Sequence, residues 1–247
     1  RLKKTQLPLE NKTILITGAA RRVGRLLALA AARGGADVVI HHAASPEAAW
    51  QTASEVEALG RRAWVIQCDF GKPETAPALI EAAWDCAPLD ALVNNAAIFE
   101  PLGWADTGLD DWQKHLDINL TAPFLLSQAF ARHLPADRQG RIVNILDWRA
   151  LRPGKDHLPY TISKAGLAAL TQALAQALAP QITVNGLALG AMLPPSDGAS
   201  TDGVLQNVPM QRWAKPEELE KALIFLLSGP AYITGEIVHL DGGRHVV

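Results

Sequence analysis

The chain has 247 residues, 49% hydrophobic and 19% charged, a normal globular balance that a single α/β domain can carry. A net charge of -2 provides no global positive field, so neither nucleic acid nor an acidic membrane is expected as a partner. Cys68 and Cys86, the only cysteines, have no metal-type spacing and build no disulfide framework; a reducing cytoplasm and no metal are expected.

In chain order, Arg1 to Lys12 is polar and lacks the apolar core of a signal peptide. Thr13–Thr17 then reads as a β-rich run ending at Gly18, and Val23–Arg33 as a helix. A second strand over Asp37–Ile40 precedes a helix over Pro46–Leu59. A third over Ala63–Gln67 precedes a helix around Glu74–Trp84, and Ala91–Val93 closes into Asn94. A long helix is expected over Ile118–His133, a strand over Arg141–Leu146, a helix over Leu158–Leu178 and a strand over Ile182–Leu187. Helix Pro216–Leu227 and strand Glu236–Leu240 complete the series. The apolar-looking stretch Ala165–Pro180 is interrupted by Thr171, Gln172 and Gln176 and falls short of the ~20 residues of a bilayer span.

Short, nearly continuous apolar strands alternating with amphipathic helices call for a parallel sheet covered on both faces. With right-handed crossovers this is a single-domain, Rossmann-type doubly wound parallel sheet over residues 1–247. Gly190–Arg212, rich in Pro, Gly, Ser and Asp, breaks the pattern and reads as a substrate-covering loop after a late strand.

Thr17-Gly18-Ala19-Ala20-Arg21-Arg22-Val23-Gly24 joins the first strand to the first helix. Gly18 permits a tight turn, Gly24 a close helix–strand approach, and free N–H groups face a ligand. Arg21, Arg22 and Arg25 oppose the helix dipole there, a conflict that an anionic ligand removes. The carboxylate that binds an NAD ribose belongs about 20 residues further on. Ile40-His41-His42-Ala43-Ala44-Ser45 holds none before Glu47. NADPH is therefore the expected cofactor, with Arg21, His41, His42 and Ser45 supplying the 2′-phosphate contacts.

Tyr160 and Lys164 stand four apart at the start of a helix, on one face, where the ammonium is expected to lower the phenol's pKa and make it a usable acid. Together with the glycine turn, Asp69, Asn94-Asn95-Ala96, Asn119 and Asp241-Gly242-Gly243, they resemble the short-chain dehydrogenase/reductase family over essentially the whole chain. The resemblance implies that Asp69 touches the adenine, that Asn94 secures a strand end, and that Asn119 holds a proton-relay water. It implies that Lys164 grips the nicotinamide ribose, and that Asn95, Ala96 and Gly190 border the cofactor beside Gly18, Val23, Gly24 and Tyr160. It also implies a homotetramer built through Ile118–His133 and Leu158–Leu178.

Three departures narrow the resemblance. Arg22 replaces a common Gly, Asp147 stands thirteen residues before Tyr160 where the family has Ser, and Ala97-Ile98-Phe99 follows Asn94-Asn95-Ala96 in place of Gly. These look like the pteridine reductase branch, with catalytic residues Asp147, Tyr160, Lys164 and Asn119. An ionised carboxylate opposes the alkoxide of a ketone reduction, whereas it can share a proton with Tyr160 or accept from the ring N–H groups of a pterin. Phe99 is then a stacking platform, and Arg22 a fork reaching both pyrophosphate and substrate. The expected reaction is NADPH-dependent reduction of a pterin or folate-type C=N bond. The alternatives are a carbonyl reductase of the same family and a non-catalytic NADP(H)-binding sensor. Trp148 and Trp213 are read as packing residues or pocket lining.

Overall fold

The computed structural model describes residues 6–194, 201 and 203–247. Seven strands form one sheet: β1 (Thr13–Ile16), β2 (Asp37–His42), β3 (Ala63–Gln67), β4 (Ala91–Asn94), β5 (Gly140–Asp147), β6 (Ile182–Leu189) and β7 (Ile237–Leu240). All pair in parallel, in the order β3-β2-β1-β4-β5-β6-β7. The order reverses between β1 and β4, which opens a crevice at the carboxyl ends of those strands.

Helices α1 (Arg22–Arg33), α2 (Pro46–Ala58), α3 (Ala76–Cys86), α4 (Leu109–Leu116), α5 (Ala122–His133), α6 (Leu158–Leu178) and α7 (Pro216–Ser228) cover both faces. Side chains alternate along each strand, so successive residues feed different cores. Ile14 and Ile16 pack in the layer of α1, α2 and α7 with Leu27, Val56, Leu219 and Leu223. Leu15 points the other way, into a layer with Leu79 and Ile80 of α3 and Leu126 and Phe130 of α5. Pro46 and Pro216 open their helices, where a missing N–H costs nothing.

Several boundaries differ from the periodicity reading. β2 and β6 each run two residues past their expected ends, to His42 and Leu189, and β5 ends on Asp147. α4 is not foreseen at all. It runs into a π-helical turn over Asp117–Thr121 and then into α5, so the helix expected from Ile118 starts inside that turn. Such turns insert one residue and re-aim the side chains they carry; this one carries Asn119. The expected covering loop lies partly outside the described residues. Among those described, Met192 and Val208 are buried against the body of the protein. No described helix is long and apolar enough to cross a membrane.

Candidate active site

The turn after β1 is held from three sides. Gly18 has φ +62°, and a Cβ there would stand 2.9 Å from Ala96 Cα; at Gly24 a Cβ would stand 1.9 Å from the Gly18 carbonyl oxygen. The backbone N–H groups of Asn95 and Ala96 donate to Thr17 Oγ1 at 2.9 and 3.0 Å, while the Asn95 amide donates to the carbonyls of Thr17 and Gly18 at 2.8 and 3.2 Å. Asn95 and Ala96 thus zip the β4 end to the turn.

His41 is the third support, and here the expectation is corrected. Its Nδ1 accepts from Gly18 N at 3.0 Å and its Nε2 lies 2.9 Å from the Cys68 carbonyl, while its ring stacks on Phe70 at 4.4 Å. Burial drives its pKa down to about 4, so it is neutral, with Nε2–H donating to Cys68. Both nitrogens are engaged, so no His41 N–H is left for a phosphate. His42 is buried as well, accepting from Ser45 N at 3.3 Å, and burial lowers its pKa against the opposing pull of Glu47. Ser45 makes no side-chain capping bond at the start of α2. Asp69 is exposed beyond β3, its Oδ1 accepting from Gly71 N at 2.9 Å.

α1 starts with no acidic residue in its first turn and no side-chain cap, next to the exposed Arg21 and Arg22. The opening N–H groups, Val23 and Gly24 among them, therefore meet no carboxylate. That donor set suits a pyrophosphate. Arg25 is committed elsewhere, to Glu55. Arg22 sits in the left-handed region at φ +51°, at a cost of roughly 1–2 kcal/mol for a residue with a side chain. Its Nη2 reaches across to the Pro194 carbonyl at 2.9 Å, spanning the crevice from the turn to the segment after β6. On the far side, Gly190 N donates to Leu240 O at 3.0 Å, and a Cβ on Gly190 would meet Asp241 Cα at 2.6 Å.

The end of β5 and the start of α6 bring Asp147 and Tyr160 together. The Tyr160 hydroxyl donates to Asp147 Oδ2 at 3.3 Å, and Asp147 Oδ1 accepts from Arg149 N at 2.9 Å. Phe99 lies edge-to-face with Tyr160 at 4.7 Å between centroids and is 53% exposed. Lys164, fully buried, donates to the Ile145 carbonyl at 2.7 Å. Asn119 donates to the Ile98 carbonyl at 3.1 Å and to Ser163 Oγ at 3.0 Å, and its Oδ1 accepts from Ile98 N at 2.9 Å. Ser163 in turn donates to the Tyr160 carbonyl at 2.7 Å. Asn94 is set deeper, donating to Asn144 Oδ1 at 2.8 Å and tying β4 to β5.

The electrostatics correct a second expectation. Burial and then the Asp147 carboxylate hold the Tyr160 pKa well above the ordinary phenol value, with Arg149 opposing them. The foreseen lowering by Lys164 does not occur, because its ammonium is turned to a backbone carbonyl and its Nζ stands 5.9 Å from the Tyr160 ring centroid. Burial brings Lys164 itself down to about 8, although Asp147 works to raise it. Tyr160 is therefore a protonated donor facing an acceptor.

Three residues that sequence reasoning missed border this centre. His157 stacks on Phe99 at 4.0 Å and 7°, and Asp156 binds both His157 Nδ1 at 3.2 Å and Arg149 Nη2 at 3.0 Å. Arg149 follows Asp147 by two residues within a 3-10 turn, Trp148–Ala150. That proximity was its one available signal. Two guanidinium groups lie over the Trp148 ring, those of Arg149 at 4.8 Å and Arg244 at 4.2 Å.

This geometry agrees with the comparisons. The chain belongs to the short-chain dehydrogenase/reductase family: a family model described as enoyl-(acyl carrier protein) reductase matches residues 18–245. A 3-oxoacyl-[acyl-carrier-protein] reductase from Synechocystis sp. is 34% identical over 234 residues, 93% of this chain and 95% of that protein. The crystal structure of FolM alternative dihydrofolate reductase 1 from Brucella canis, complexed with NADP, is 31% identical with a TM-score of 0.90, covering 99% of this chain and 97% of that one. A short-chain dehydrogenase from Burkholderia cenocepacia in complex with NADP is 36% identical with a TM-score of 0.90, over 96% of this chain and 99% of that one. The chain is thus an oxidoreductase by family.

Proposed function

We propose that the protein reduces a pterin or folate-type C=N bond with NADPH. The observation that carries this reading is the Asp147 carboxylate 3.3 Å from the Tyr160 hydroxyl, beside the exposed Phe99 ring. Arg21, Arg22, Ser45 and the opening N–H groups of α1 would hold the cofactor's phosphates, Asp69 its adenine end, and Lys164 its nicotinamide ribose. NADPH bound there would supply the hydride.

The chain's own groups do the rest. Phe99 offers a flat face to a planar ring, worth roughly 0.5–1.5 kcal/mol beyond buried area. Asp147 accepts from the ring N–H and amino groups. Tyr160 gives its proton to the substrate nitrogen as the adjacent carbon takes the hydride, and the resulting phenolate regains a proton from Lys164 and the relay at Asn119. Arg22, already spanning the crevice to Pro194, grips phosphate on one side and substrate on the other. The NADP-bound FolM neighbour supports the substrate class and the cofactor. The same reading makes the protein a cytoplasmic homotetramer assembled through α5 and α6, where Phe124 and Ile162 are exposed.

A carbonyl reductase is the second reading, favoured by the Synechocystis relative. Against it stands Asp147, whose negative charge opposes the developing alkoxide. A sensor without chemistry has no use for the buried Tyr160–Lys164 pair. The test is Asp147→Ser: turnover of dihydrobiopterin should fall by about 100-fold or more, with NADPH binding retained. Unaltered turnover removes Asp147 from the reaction.

A further inference from the structure

Asp147 is steered from one side by a single residue. Its Oδ1 takes the backbone N–H of Arg149 at 2.9 Å and faces the Arg149 guanidinium at 3.5 Å, which leaves Oδ2 for Tyr160. The guanidinium is itself fixed by Asp156 at 3.0 Å and by the Trp148 ring at 4.8 Å, with the Phe99 ring 5.8 Å away. Its side chain is 14% exposed, and its Nε–H is buried with no partner among the described residues. A guanidinium cannot give up its charge at working pH. Held on the Oδ1 side of the carboxylate, it is a fixed cation in contact with the same group that meets the Tyr160 hydroxyl through Oδ2.

We propose that Arg149 is the positioning residue of this centre: its backbone N–H and guanidinium hold Asp147 Oδ1, so that Oδ2 stays aimed at the Tyr160 hydroxyl through proton transfer. This rests on the reading that Tyr160 is the acid and Asp147 its partner, and it holds whichever substrate the pair serves. The other charged or titratable groups around Asp147 are Lys164 on α6, Asp156 and His157 before that helix, and Arg244 near the C-terminus, over the Trp148 ring. None of these has ion-pair contact with Asp147; among the described residues Arg149 alone does.

The test compares Arg149→Gln, Arg149→Lys, Asp147→Asn and the Asp147→Asn/Arg149→Gln double variant, with kcat measured on dihydrobiopterin or acetoacetyl-CoA, whichever the wild type reduces faster. Glutamine keeps the backbone N–H and loses the charge; kcat should fall roughly 100-fold while the NADPH dissociation constant, read by cofactor fluorescence, moves less than about twofold. Lysine, which restores charge without the fork, should recover roughly a tenth of wild-type kcat. The double variant should match Asp147→Asn within about twofold, because the two residues act as one unit. The proposal is overturned if Arg149→Gln or Asp147→Asn keeps wild-type kcat, if lysine recovers nothing, if NADPH binding is lost in step with kcat, or if the two losses multiply. Faster reduction of acetoacetyl-CoA would sink the pterin reading and leave this proposal standing on the thioester data.

Discussion

Tyr160 donates its hydroxyl proton to Asp147 Oδ2 across 3.3 Å, and both the burial of the ring and the facing carboxylate keep that proton in place. In the common arrangement of the family a neutral serine fills the position of Asp147, so the same tyrosine here works beside a negative charge. The consequences can be measured separately.

Tyr160 and Tyr232 are the only tyrosines. In a Tyr232→Phe protein the ultraviolet tyrosinate signal reports Tyr160 alone. Little tyrosinate should form at pH 10, the value at which an ordinary phenol is half ionised. Half-ionisation at or below that pH would show that Lys164, rather than Asp147, dominates the phenol.

Lys164 keeps its charge below about 8 and loses it as pH rises through that value, since burial favours the neutral amine. NADPH affinity, followed by fluorescence titration, should weaken over that window. Asp147→Asn removes the charge that props the ammonium up, so the midpoint should move to lower pH. A midpoint that stays put or rises would separate Lys164 from Asp147.

His41 makes a stability prediction independent of catalysis. Its folded pKa of about 4 lies below the ordinary 6.5, so its contribution is fully present above 6.5 and is lost as pH falls through about 4. The span corresponds to roughly 3 kcal/mol. Denaturant unfolding at pH 7 and pH 4 should show a smaller acid loss in His41→Gln than in the wild type. Equal losses would mean that the ring is not neutral when folded.

Much of this architecture was legible because strands and helices write their periods into the chain. Ile14-Leu15-Ile16 and Ile142-Val143 read as strands because they are buried on both faces. α4 escaped because Leu109–Leu116 is only eight residues long, shorter than the window in which a helical period can be read, with His115 its only fully buried side chain. The π-helical turn has no periodic signature. Asp147 and Tyr160 were legible as a pair through the family resemblance, whereas Arg149 and His157 meet Phe99, and Asp156 meets both of them, only through tertiary folding. His41 was misread because its partner, the Cys68 carbonyl, is delivered by the β2–β3 register, His41 opposite Ile66. Lys164 was misjudged for a similar reason: position on a helix face says nothing of the Ile145 carbonyl that captures its ammonium.

Substrate preference decides the reading most directly. Steady-state kcat/KM with NADPH should be higher for dihydrobiopterin than for acetoacetyl-CoA and a panel of simple ketones, and should fall when NADH replaces NADPH. A ketone or thioester reduced faster than every dihydropterin would contradict the pterin assignment and leave a carbonyl reductase with an aspartate in an unusual place.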